Sequence, residues 1–108
     1  MKWSIIYFES SRGENFVEKF INEQKEEIKA KYIGMIDFLE EYGPFLSRKY
    51  TKKIKKDLYE LRITCKEQIR VLYTIQGRTM ILLHAFKKKT QKTPLKEIKT
   101  AILRLDKI

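Results

Sequence analysis

Cysteine, histidine and long apolar runs are what this chain has least of. A single cysteine, Cys65, excludes an intrachain disulfide and a cysteine-rich metal site. A single histidine, His84, leaves too few ligands for a zinc centre, so neither a metal nor another cofactor is expected. Near the N-terminus the apolar run Trp3 to Phe8 is six residues long, with no small-residue cleavage site after it, so it does not read as a signal peptide. No segment approaches the roughly 18 apolar residues of a membrane span. Repeats, linkers and low-complexity stretches are missing as well. These absences predict one cytoplasmic domain over residues 1–108 with no membrane partner.

Acid is scarce in one part of the chain only. Residues 1–47 hold 6 Lys/Arg and 9 Asp/Glu, whereas residues 48–108 hold 18 and 5, which together give the net charge of +10. The first part therefore reads as a near-neutral scaffold and the second as the cationic, working part. With 43% hydrophobic and 35% charged residues the composition is that of a globular chain, and at 108 residues it can build one modest core. So uneven a charge predicts a polyanionic partner, nucleic acid above all, bound with steep salt dependence because each neutralised phosphate releases counterions.

The hydrophobic pattern changes period along the chain. Trp3 to Phe8 (WSIIYF) is aromatic and β-branched and predicts a strand. Ser10 and Ser11 offer cap oxygens to a helix over GENFVEKFINEQ, where Phe16, Val17, Phe20 and Ile21 share a face. A second helix is expected from about Glu23 to Tyr42 on the stripe Ile28, Tyr32, Met35, Ile36 and Leu39, stopped by Gly43-Pro44. Beyond Pro44 the period falls to two. Leu58 to Cys65 sets Tyr59, Leu61, Ile63 and Cys65 against Glu60, Arg62 and Thr64; Ile69 to Ile75 sets Ile69, Val71, Tyr73 and Ile75 against Arg70, Leu72 and Thr74. After the turn Gln76-Gly77-Arg78, the nearly apolar run Thr79 to Phe86 predicts a central strand. Thr93 is the expected cap of a last helix that has Pro94 at its first position and buries Ile98, Ile102 and Leu105. The resulting order, β-α-α-β-β-β-α, is an α+β sandwich: a helical hairpin and a C-terminal helix packed on a mainly antiparallel sheet.

Two basic strips frame that sheet. Leu82 to Pro94 (LLHAFKKKTQKTP) runs from an apolar strand into Lys87, Lys88 and Lys89, then a polar turn with Lys92. Lysines leaving a strand alternate sides, so at most two of these face one site. Clustering lowers their pKa values, which lets one act as acid or base; the competing reading is a solvated charge run. Arg48 to Lys56 (RKYTKKIKK) carries six basic residues in nine: Arg48, Lys49, Lys52, Lys53, Lys55 and Lys56. It reads either as a strip that tracks an RNA backbone or as a mobile solvated loop. Arg62 and Arg70, on the polar faces of two strands expected to pair, suit bidentate phosphate contact; the plainer alternative is an ion pair with Glu60. His84 titrates near neutrality, but on the same face as Leu82 and Phe86 it is more simply structural.

The motifs L-Y-E-L-R (Leu58 to Arg62), I-R-V-L-Y (Ile69 to Tyr73) and L-L-H-A-F-K-K-K-T-Q-K-T-P (Leu82 to Pro94), with E-I-K-T-A from Glu97, resemble the RelE/ParE toxin superfamily, and its phage-derived HigB-like branch in particular. That resemblance implies a type II toxin neutralised by a cognate antitoxin of helix-turn-helix type, touching operator DNA only through that antitoxin. It implies a ribosome-dependent mRNA endonuclease that works without metal: the RNA 2′-hydroxyl attacks the adjacent phosphate and leaves a 2′,3′-cyclic phosphate. By the same resemblance Arg62 and Arg70 match catalytic basic positions, with Lys87, Lys88 and His84 as further catalytic candidates. Arg48, Lys49, Lys52, Lys53, Lys55, Lys56, Lys89 and Lys92 are candidates for RNA and ribosome contact. The chain departs from the pattern in having no tyrosine in the turn Thr90-Gln91-Lys92-Thr93, so a base-stacking ring would come from elsewhere, such as Tyr59 or Tyr73. Two other functions stay open on the same residues: a ParE-like inhibitor of DNA gyrase, and a non-catalytic nucleic-acid-binding module.

Overall fold

The alternating segments after Pro44 form antiparallel strands because each has an apolar face to bury and a neighbour a short turn away. The computed structural model describes residues 2–108. Strands β1 (Ser4–Tyr7), β2 (Thr51–Lys55), β3 (Leu58–Thr64), β4 (Gln68–Gln76) and β5 (Thr79–Lys87) make one sheet in the order β1-β5-β4-β3-β2. Only β1 and β5 are parallel; the other neighbours are antiparallel. Helices α1 (Phe16–Asn22) and α2 (Glu26–Tyr42) cover one face and α3 (Leu95–Leu105) the other. This is the expected α+β sandwich, and β5, with partners on both sides, is interior as its apolar sequence predicts.

The two faces have separate cores. On the hairpin side Val17, Ile21, Ile28, Tyr32, Met35 and Leu39 meet Leu61, Ile63, Ile69, Val71, Tyr73, Met80 and Leu82. On the α3 side Leu58, Leu72, Ile81, Leu83 and Phe86 meet Ala101, with Ile98, Ile102 and Leu105 packed around them. Burying both faces is what makes β4 and β5 read as nearly unbroken apolar runs.

Four local expectations change. The strip Arg48 to Lys56 is not the solvated loop of the plainer reading but contains β2, paired with β3 through Thr51↔Leu61, Lys52↔Glu60 and Lys53↔Tyr59. Lysines hid it from a period-two reading. An edge strand has one neighbour only, so it tolerates charge and is protected by it from pairing with another chain. Ile54 anchors it to the α3-side core, and Asp57, at φ 63°, turns the chain into β3. Ser10 caps no helix: its Oγ accepts from the Glu14 amide at 3.1 Å, while Asn15 Oδ1 accepts from the Glu18 amide at 3.0 Å and caps α1. The second helix starts at Glu26 rather than Glu23. Thr93 does not cap α3, because its hydroxyl is engaged elsewhere and Pro94 takes the cap position.

Gly43 closes α2 as expected, at φ 53°. A Cβ at this position would stand 2.5 Å from the Trp3 ring, so both conformation and space demand glycine. Trp3 is fixed over it by its amide, which donates to Glu40 O at 2.8 Å, and by Arg78 stacked 4.3 Å from its ring.

Candidate catalytic face of the sheet

A bulge in β5 decides which side chains share the α3 face. The register passes from Leu72↔His84 to Tyr73↔Leu82, so β5 spends one extra residue there. Leu82 therefore belongs to the hairpin-side core, while His84 turns to the α3 side and stacks on Phe86 at 5.6 Å. Strict alternation, which set Leu82, His84 and Phe86 on one face, misses this shift because it leaves no mark in residue type.

His84 is held on both nitrogens. Nδ1 accepts from Arg104 Nη1 at 3.2 Å, and Nε2 lies 2.8 Å from Glu97 Oε1, which makes Nε2–H the donor. Burial pushes its pKa down and Arg104 adds to this, against the opposing pull of Glu97. Arg104 also donates to Leu83 O at 2.8 Å and stacks on Phe16 at 4.2 Å. His84 thus ties α3 to the sheet through both of its ring nitrogens.

The charged cluster lies further along the same face, beside the segment that leads into α3. Arg62 and Arg70 are directly paired across β3 and β4, and Lys52 pairs with Glu60 in the next row. Glu60 is fully buried; its Oε1 stands 3.5 Å from Arg62 Nε and 3.8 Å from Arg70 Nε, and its Oε2 accepts from the Thr93 hydroxyl. The ion pair offered as the alternative reading of the two arginines is therefore present, and Glu60 makes it with both at once.

The arginines differ in what remains available. The Arg70 side chain is 8% exposed and spends its terminal nitrogens on Ile69 O at 2.9 Å and Gln68 Oε1 at 3.2 Å. Burial lowers its pKa and Arg62 adds to that, while Glu60 opposes. The Arg62 side chain is 34% exposed; only its Nε is engaged, so its terminal guanidinium nitrogens make no hydrogen bond among the described residues.

The three lysines separate as alternation requires. Lys87 pairs with Ile69, a residue of the hairpin-side core, and its Nζ lies 3.0 Å from Glu67. It is turned away from the arginines. Lys88 continues the ladder through its amide to Gln68 O at 2.7 Å and joins the cluster. Desolvation lowers its pKa; Arg70, Arg62 and Lys52 lower it further, and Glu60 alone raises it. Lys89 and Lys92 are exposed in the turn that follows. Of the second strip, Lys52 reaches the cluster, Lys53 faces the hairpin side opposite Tyr59, and Arg48, Lys49, Lys55 and Lys56 are exposed around the β2 edge.

Two members of the cluster carry no mark as site residues in a reading that starts from positive charge. Glu60 is visible only as the acid two residues before Arg62 on the same strand face. Thr93 reads as a helix cap, and nothing in the sequence shows its hydroxyl crossing to β3. Tyr59 and Tyr73 stack on each other at 5.6 Å on the hairpin side, away from the cluster.

The sequence profile of a family described as Phage derived protein Gp49-like matches residues 19–106, which includes every residue of the cluster. No curated protein matches the chain. With the profile covering most of its length, the chain belongs to the phage-derived Gp49-like family, a RelE/HigB-like toxin family.

Proposed function

We propose that this protein is the toxin of a type II toxin–antitoxin system and acts as a ribosome-dependent mRNA endonuclease. The observation that carries the reading is the charge imbalance on the α3 face. Four cations, Lys52, Arg62, Arg70 and Lys88, surround a single carboxylate, Glu60, which is itself buried. Such a patch keeps a surplus of positive charge for a phosphate that gains negative charge in its transition state.

In the proposed reaction the 2′-oxygen of the RNA forms a bond to the adjacent phosphorus and the bond to the 5′-oxygen breaks, giving a 2′,3′-cyclic phosphate and a 5′-hydroxyl. The free end of Arg62 grips the phosphate oxygens through its terminal N–H groups. Arg70, buried behind it, contributes field rather than contact. Glu60 and Thr93 hold the guanidiniums in place and act as positioning residues. Lys88, which desolvation and the neighbouring Arg70, Arg62 and Lys52 push below the usual lysine pKa, is the group we assign to proton transfer. His84 and Lys87 take no part. Lys89, Lys92 and the exposed cations of the β2 edge hold ribosomal RNA as point charges. Neutralisation requires a cognate antitoxin, and an acidic segment that covers the cationic face fits the charge distribution.

The test is primer extension on a reporter mRNA in a cell-free translation system, with and without ribosomes. Cuts that need ribosomes and vanish in Arg62→Ala are expected. Intact mRNA beside a toxic wild-type protein contradicts the reading and directs attention to DNA gyrase.

A further inference from the structure

The second cationic strip does more than decorate an edge. Between the turn that follows α2 and the hairpin-side surface of β2 lies an open groove of about 680 Å³, within the ~300–1,000 Å³ span of ligand-binding clefts. Its walls combine flat aromatic surface with cations. Phe45 is 81% exposed and held edge-on by Trp3 at 6.3 Å; Tyr59 is half-buried and backed by Tyr73; Arg48 and Lys53 stand beside them. No acidic residue lines the groove. The Phe45 ring, 81% exposed, leaves a flat apolar surface free for stacking beside Tyr59 and the cations.

Lys52 connects this groove to the opposite face. It lines the groove and also acts electrostatically on Lys88 in the arginine cluster. The β2 edge is therefore positive on both sides, with Lys52 turned one way and Lys53 the other. A chain of phosphates leaving the cluster meets cations continuously as it crosses the edge, and rings on which its bases can lie once it has crossed. Stacking needs unpaired bases, so the occupant these features select is single-stranded rather than duplex nucleic acid.

We propose that the groove of Phe45, Arg48, Lys53 and Tyr59 is a base-stacking subsite for single-stranded RNA that continues from the arginine cluster over the β2 edge. The proposal rests on the RNA-cleaving reading for the origin of that strand, but it concerns binding, and binding is measured without cleavage.

The experiment is fluorescence anisotropy of the full chain with 2′-O-methyl oligoribonucleotides, which cannot be cut, of three and nine nucleotides. Wild type should bind the nine-mer more tightly than the three-mer. Phe45→Ala should weaken the nine-mer about fivefold or more, a loss of one stacked base, and leave the three-mer unchanged. Phe45→Trp should restore the loss, and Phe45→Leu, equally apolar but without a stacking face, should not. Phe45 is exposed enough that these variants keep the fold, which a melting curve checks. Equal binding of the two lengths, or a nine-mer indifferent to Phe45→Ala, overturns the proposal. So does a polyglutamate peptide that loses as much affinity as the nine-mer in Phe45→Ala, because the groove would then be a peptide site. Ribosomal cleavage that persists beside any of these results leaves the catalytic reading standing alone. A nine-mer sensitive to Phe45→Ala without cleavage leaves the groove standing alone.

Discussion

The two faces of this sheet are built from the same strands and are opposite in chemistry. The hairpin face is a core of apolar side chains and tyrosines, in which the Tyr7 and Tyr32 hydroxyls hydrogen-bond at 2.5 Å and burial pushes the Tyr32 pKa well up. The α3 face interrupts its apolar packing with Glu60, Arg70, Thr74 and His84. Buried charges stabilise a fold poorly, since desolvation offsets most of their attraction. A face that keeps them while its opposite side does without is organised for something other than stability. The hairpin face holds the protein together, and the α3 face holds two guanidiniums and a lysine in a fixed array.

Breaking the array and breaking the core should therefore look different. Arg62→Ala is expected to reduce cleavage by about 10²–10³-fold, in the range for losing one preorganised contact to a developing anion, with little change in melting temperature. The contrasting substitution is Leu39→Ala on the fully buried hairpin side, expected to cost ~2–5 kcal/mol in urea titrations while the remaining folded protein keeps its specific activity. Glu60→Ala should do both kinds of damage. It leaves Arg70 buried without its counter-charge, a loss of about 3–5 kcal/mol, and it frees Arg62 to wander.

Gly43→Ala comes next in size. A positive φ and a Trp3 ring in the path of the new methyl predict a loss of ~1–3 kcal/mol, read as a lower denaturation midpoint with the catalytic face intact. The smallest expected effect is on pH. The folded pKa of His84 is lowered, so the unfolded chain takes up the proton first. The contribution of His84 is complete above its unfolded pKa of about 6.5 and is lost as pH falls from there toward the folded value. Glu97 and Arg104 are the charged groups in contact with it. Urea midpoints at pH 7 and pH 5 should differ less in His84→Gln than in wild type.

How much of this was legible beforehand depended on whether a residue's role follows from its own neighbourhood in sequence. The periods of three to four and of two placed α2, β3, β4 and β5 well, because those elements bury what their spacing sorts. The facing of Arg62 and Arg70 is legible for the same reason, each lying between two apolar residues of a regular strand, Leu61 and Ile63 or Ile69 and Val71. What failed was nonlocal. Strand β2 is defined by pairing with β3, and lysine content conceals it. The bulge at Leu83 reverses the facing of Leu82 against His84, and only the β4 register reveals it. Strand alternation separates Lys87 from Lys88, but which of the two faces the arginines depends on that same bulge. Glu60 and Thr93 meet across 33 residues, a contact that no spacing rule anticipates.

The central claim is that the α3 face, and not the hairpin face, does the chemistry. The most direct test compares two neighbouring lysines, Lys88→Ala and Lys87→Ala, in ribosome-dependent cleavage of one reporter mRNA. The account predicts a loss of about 10²-fold or more for Lys88→Ala, as for removal of a proton-transfer group, and near wild-type cutting for Lys87→Ala. Equal losses in the two variants, or a larger one in Lys87→Ala, would contradict it.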